Sequence, residues 1–211
     1  MKKIIVIGSS NTDMVVRSEH LPRPGETVLG GGFMMAGGGK GANQAVAVAK
    51  MGHPVIFAAA VGKDIFGDEA VTRYQHYGID TSYIVHKECP SGVALILVDA
   101  SAQNSISVAL GANNELSLED VMPALDTIEE GDIVLLQLEI PMATVEACIG
   151  VAAAKGARVI LNPAPAAKVS ESALSKLYLI TPNQTEAEIL TGVEVKNETT
   201  PEIKLMQAKT M

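Results

Sequence analysis

From Ser117 onward, short apolar runs alternate with stretches of helical period, and this alternation constrains the fold more than any other feature of the chain. A helical pattern over 117–126 precedes the run Ile133–Leu138, and a second over about Met142–Lys155 precedes Arg158–Leu161. After a turn rich in Pro and Ala, the short run Tyr178–Ile180 leads into a third helical pattern over 184–190. Strands separated by helices are not hairpin partners; they pair in parallel through right-handed crossovers, in a sheet covered on both faces. The composition suits such a sheet. Hydrophobic residues make up 47%, drawn from Ala, Val, Ile and Leu, while aromatics stand at 3%. The expected class is α/β, with a mostly parallel central sheet between helical layers in a single unit over 1–211.

The first half keeps this rhythm with an interruption. Ile4–Ile7 is expected as a buried strand, followed by the polar turn Gly8-Ser9-Ser10-Asn11-Thr12-Asp13, and Met14–Val16 resumes extended character. Pro22 and Pro24 exclude helix from Leu21–Glu26, because each proline restrains itself and its predecessor. Val28–Met35 is Gly-rich and extended. Gly37–Gly41 opens a helix from Ala42 to about Met51, in which Asn43, Val46, Ala47 and Lys50 keep the 3.6 period. Val55–Val61 is the next strand, and a helix entered at Asp64 or Gly67 runs to Tyr77 and stops at Gly78. Ser82–Val85, Val93–Val98 and Ser105–Leu110 are expected strands, with Asp99–Asn104 a hairpin loop. Residues from about 14 to 36, with one or more of these later strands, form a small β excursion. Past Glu194, the polar stretch Lys196–Pro201 leads into an expected helix over Glu202–Lys209, and the sequence closes at Met211.

Several function classes drop out. Sixteen Lys and Arg against 24 Asp and Glu give a charge of −8 without any basic cluster, which argues against nucleic acid as the main partner. No run approaches the ~20 apolar residues of a membrane span, and Ile4–Ile7 is too short for a signal peptide. Cys89 and Cys148 lie outside any Cys-x-x-Cys pattern and are expected as reduced thiols of a soluble cytoplasmic protein. His20, His53, His76 and His86 lack ligand-like spacing.

The chemistry concentrates in Gly37-Gly38-Gly39-Lys40-Gly41-Ala42-Asn43. Consecutive glycines let backbone approach a ligand, and the helix N-terminus behind them favours oxygen ligands. A Walker A loop is excluded, since Met34 stands at its first glycine position and Gly41 follows Lys40. Gly37, Gly39 and Ala42 match a dinucleotide loop literally but do not follow the first strand. A tight entry into a buried helix explains the same residues structurally. Asn183 and Glu186 similarly match a capping box at a strand-to-helix junction, and Asp13 a turn-forming residue.

Taken together, Gly38-Gly39-Lys40-Gly41-Ala42-Asn43-Gln44-Ala45, Gly8–Asp13, Pro24-Gly25-Glu26-Thr27, Gly92-Val93-Ala94, Gly111-Ala112-Asn113, Gln137-Leu138-Glu139, Asn162–Pro165 and Thr181–Glu188 resemble segments of the ribokinase-like (PfkB) carbohydrate kinases, most of all the ribose-phosphorylating branch. They run in family order over nearly the whole chain. The resemblance implies a three-layer α/β/α sandwich with a small β-sheet lid, its strands inserted at about 14–36 and 90–112. It implies transfer of the γ-phosphoryl group of ATP to the 5-hydroxyl of D-ribose, with Mg²⁺, and K⁺ as monovalent cation. It assigns Asn11, Asp13, Gly38, Gly39, Lys40, Asn43 and Glu139 to the sugar, Asn183 to the nucleotide and Glu186 to the metal. Such a set matches sugar hydroxyls: carboxylates only accept, Lys40 only donates, and the asparagines do both. A homodimer through the lid is implied as well. Fructokinase- or adenosine kinase-like specificity and a non-catalytic sugar-binding fragment remain alternatives. The family's catalytic base sits in a Gly-Ala-Gly-Asp segment. None occurs in these 211 residues, so the base is expected after Met211 and no catalytic residue is assigned within the chain. The C-terminal part of the fold is accordingly expected to be missing and the chain inactive alone.

Overall fold

Hydrophobic alternation becomes two sheets in a computed structural model that describes residues 2–29 and 31–194. In chain order the elements are β1 (Ile4–Ile7), β2 (Asn11–Arg17), β3 (Phe33–Gly38), α1 (Lys40–Lys50), β4 (Val55–Gly62), α2 (Ile65–His76), β5 (Ile84–Lys87), β6 (Gly92–Val98) and β7 (Asn104–Ala109). A 3₁₀ turn at Gly111–Glu115 follows, then α3 (Leu118–Asp126), β8 (Ile133–Leu136), α4 (Met142–Ala154), β9 (Arg158–Leu161), α5 (Glu171–Leu174), β10 (Leu179–Ile180) and α6 (Gln184–Thr191). The stretch Lys196–Pro201, the helix expected over Glu202–Lys209 and Met211, after which the catalytic base is expected, lie outside the described residues.

The main sheet has the order β10-β9-β8-β1-β4-β5, with every pairing parallel. Its central strand shows why. Ile5 and Ile7 pack into the cluster with α3 and α4, while Val6 packs into the one with α1 and α2. All three are fully buried. Burial of each such side chain stabilises the fold by about 1.5–3 kcal/mol, so a run apolar on both faces belongs at the centre of a covered sheet. Polar caps set the helix starts: Asp64 Oδ1 accepts from Gly67 N at 2.9 Å, and Ser117 forms a capping box with Asp120.

A second, four-stranded sheet of order β3-β2-β6-β7 branches off three residues after β1. Here the structure departs from several sequence expectations. Asn11, Thr12 and Asp13 do not belong to a turn; they open β2, which pairs with β3 on one side and β6 on the other. Ladder hydrogen bonds on both edges outweigh the turn preference of Asn and Asp. Gly37 and Gly38 end β3 rather than open the helix, which begins at Lys40. Ser82–Val85 shifts to Ile84–Lys87 and joins the main sheet as β5. In α1 the buried stripe is Gly41, Ala42, Ala45 and Val48, so the row containing Asn43, Ala47 and Lys50 is the outer one. The short α5 has no counterpart among the expected helices.

Candidate functional site

Strand order reverses at β1: the chain first adds β4 on one side and later β8 on the other. In parallel α/β sheets the crevice beyond the carboxyl ends at such a switch point is where ligands bind. Gly8-Ser9-Ser10 leaves β1 there, and Gln137-Leu138-Glu139 leaves β8. The two meet directly, with Ser9 Oγ donating to Glu139 Oε2 at 2.6 Å. Lys40 N donates to the same oxygen at 2.9 Å, and Lys40 Nζ lies 3.9 Å from Glu139 Oε1. Gly39, the N-cap of α1, has no side chain to satisfy the first turn. Glu139 supplies the missing cap from a distant strand, and its charge suits the positive helix end.

The glycines make room for this junction. Gly39 has φ +91°, and a Cβ there would stand 2.8 Å from Ser9 O, so only glycine fits. A Cβ on Gly38 would meet both carboxylate oxygens of Asp13, at 2.0 and 2.4 Å. The Asp13 carboxylate therefore occupies the space that a side chain at 38 would take.

Asn11 and Asp13, two apart on β2, point to one face of the second sheet. Asp13 is half-buried, and its pKa is raised by burial first and by the charge of Glu139 second. The Asp13 carboxylate lies against Gly38, and the Glu139 carboxylate against Lys40 N two residues on. Asn43 sits exposed on the first turn of α1, three residues from Lys40 and on the same side of the helix. Two residues outside the expected site hold it together: Ser9, which orients Glu139, and Asn113, fully buried, which hydrogen-bonds Ser10 and Asn11. Asn113 has only one sequence signal, an Asn after Gly-Ala where the second sheet ends.

Asn183 and Glu186 lie elsewhere, at the end of β10, three strand spacings from β1 or roughly 14 Å. Their capping box is complete. Asn183 Oδ1 accepts from Glu186 N, and Glu186 Oε2 from Asn183 N, both at 2.8 Å. Glu186 Oε1 also accepts from Asn183 Nδ2 at 2.8 Å, and Glu186 is buried. Among the described residues no group of three or more His, Cys, Asp or Glu could enclose a metal ion.

A model of the pfkB family carbohydrate kinases matches residues 1–210. The chain belongs to this family. It is 45% identical over 199 residues to a ribokinase of Haemophilus influenzae, and 41% identical over 194 residues to a deoxyribokinase of Salmonella typhi. These alignments take in 93% and 91% of this chain but 65% and 63% of those proteins. The chain therefore spans less than two thirds of the length of these curated relatives. The solved structure of Arabidopsis thaliana ribokinase, complexed with ribose and ATP, superposes with a TM-score of 0.83 at 31% identity, over 99% of this chain and 68% of that one. The mostly parallel sheet between helical layers is the ribokinase-like fold of the pfkB family.

Proposed function

We propose that the switch-point site binds D-ribose, and that the protein's activity is transfer of the γ-phosphoryl group of ATP to the sugar's 5-hydroxyl. The observation that carries this reading is the convergence of Asn11 and Asp13 on β2, Lys40 on α1 and Glu139 after β8, three separate segments, on one crevice. A furanose presents several hydroxyls, each a donor and an acceptor. Asp13 and Glu139 accept, Lys40 donates, and the backbone of Gly38 and Gly39 allows close approach. Asn43 extends the donor and acceptor set along the first turn of α1. A site built this way rejects analogues that lack a hydroxyl, because each unpaired buried group costs about 1–3 kcal/mol. The ribokinases among the relatives support ribose as substrate.

We assign the nucleotide side to Asn183 and the Mg²⁺ side to Glu186. Each Glu186 oxygen keeps a second lone pair beyond its bond to Asn183, which fits a hydrated ion rather than an enclosed one. Bound there, Mg²⁺ would neutralise phosphate charge. The catalytic base is assigned to the family's Gly-Ala-Gly-Asp segment, which is absent from these 211 residues, and the chain alone is proposed to bind sugar weakly at best and to show no turnover. K⁺ dependence is assigned to the full-length family member. Phe33, Met35 and Leu95, exposed on one face of the second sheet, support a homodimer through that sheet. Among the described residues no helix is long and apolar enough to cross a membrane, and the cytoplasm is the proposed location.

Calorimetric titration with D-ribose, 2-deoxy-D-ribose, D-fructose and adenosine tests the reading. Preference for D-ribose supports it, and preference for another ligand reassigns the substrate. Ribose phosphorylation by residues 1–211 at an ordinary kinase rate would overturn the proposed absence of turnover.

A further inference from the structure

Asn113 lies in the 3₁₀ turn after β7, with no exposed surface. Its Oδ1 accepts from Ser10 N at 2.8 Å. A backbone N–H can only donate, so the atom facing it is the amide oxygen, and the orientation of this side chain is forced. Asn113 Nδ2 then faces Ser10 O at 3.1 Å, Leu110 O at 3.0 Å and Asn11 Oδ1 at 2.7 Å. Because an amide nitrogen offers only hydrogens, the Asn11 atom against it must be the oxygen. The orientation of Asn11 is thereby forced in turn. Its Nδ2, with no hydrogen-bond partner among the described residues, is left on the side of β2 that carries Asp13.

Gly92 shows how closely this pair is built. It stands opposite Asn11 in the β2–β6 register, and a Cβ on it would lie 2.2 Å from both Asn11 Oδ1 and Asn113 Nδ2. The amide-to-amide bond runs over bare backbone at the base of the second sheet.

We propose that Asn113 is a positioning residue that sets Asn11 as a donor toward the sugar. Asparagine by itself could present either end; Asn113 removes the choice. A hydroxyl meeting Asn11 must accept there, which leaves its own proton for an acceptor such as Asp13. Asn11 as donor and Asp13 as acceptor together select a hydroxyl, which can accept and donate, rather than an ether oxygen or a carbonyl, which can only accept. This inference rests on the sugar-site reading above.

The test is a double-mutant cycle on D-ribose affinity, read by calorimetry, with Asn113→Asp and Asn11→Ala. Asn113→Asp keeps the acceptor for Ser10 N but turns the donor into an acceptor, so Asn11 must reverse. It should weaken ribose binding by about tenfold or more in the wild-type background. In the Asn11→Ala background the same change should cost less than about twofold, because its only route to the sugar is gone. Equal losses in both backgrounds would show a merely structural role and sink the inference, as would unchanged binding by Asn113→Asp. Wild-type protein that takes up no ribose would overturn the sugar-site reading and this inference together. Should Asn113→Asp not fold, ¹⁵N spectra of the wild type decide: the Asn11 side-chain NH₂ resonances must shift on saturation with D-ribose, and resonances that stay put refute the assignment.

Discussion

Gly41, on the first turn of α1, lies against the backbone of Gly8 at the end of β1. A Cβ on Gly41 would stand 2.6 Å from the Gly8 carbonyl carbon and from Ser9 N. Neither atom can yield without shifting the turn that carries Ser9 to Glu139. Gly41→Ala should therefore destabilise the protein by about 1–3 kcal/mol, the usual cost of overpacking, seen as a lower urea midpoint at unchanged slope. A midpoint equal to wild type would show that α1 can slide away freely.

Gly37 and Gly38 are neighbours with different obligations. A Cβ on Gly37 would meet Arg73 Nη1 at 2.1 Å, the far end of a flexible side chain, whereas one on Gly38 meets the Asp13 carboxylate. Gly38→Ala should weaken D-ribose binding by about tenfold or more, by displacing an acceptor. Gly37→Ala should leave it near wild type. Calorimetry on the two variants, side by side, checks the contrast.

Asp13 carries a raised pKa, through burial and then through Glu139. Ionisation of Asp13 is thus harder in the folded chain than in the unfolded one. The stability it contributes is fully present below the ordinary value of 3.8 and is lost as pH rises through the raised folded value. Asp13→Asn should accordingly raise Tm at pH 7, by an amount that shrinks as the pH drops below the ordinary aspartate range. Partial exposure keeps the gain small. The same substitution should abolish ribose binding, so a stabilised but non-binding variant is the expected result.

Asp64 links α2 to the start of β6. Besides capping Gly67 N, it accepts from Ser91 N at 2.7 Å and Ser91 Oγ at 2.6 Å. Burial pushes its pKa up, but the Ser91 hydroxyl and amide, with the amides of the first turn, outweigh it and hold the pKa low. Its contribution is present above the ordinary aspartate value and fades as pH falls through the lowered folded one. Asp64→Ala should cost about 2 kcal/mol near pH 7. Thermal melts at pH 7 and pH 3 check this, with the gap between variant and wild type narrower at pH 3.

Much of the fold was legible locally. Arg158–Leu161 is a strand with the bounds its pattern suggested, and the α/β alternation after Ser117 gave the parallel sheet, because period and crossover handedness act over short stretches. The second sheet was harder to trace. Asn11 to Asp13 carry turn signals that two flanking strands override, and the glycines at 37 and 38 read as a helix entry until β2 is laid beside them. In the site, Lys40 and Glu139 are close partners, whereas Asn183 and Glu186 stand apart at β10. Ser9 and Asn113 were not among the expected site residues, since nothing in their own neighbourhood marks them as partners of Glu139 and Asn11.

By itself the sequence determined the residue types available at the candidate site, the caps at Asp64 and Asn183, and the family segments in their order. Only the tertiary structure decided which end of Asn11 faces the site, what caps α1, and why Gly38 and Gly92 are bare. Those outcomes depend on hydrogen bonds and contacts between residues as far as 130 positions apart, such as Ser9 with Glu139. Local preference cannot encode them, because they exist only once the strands have paired.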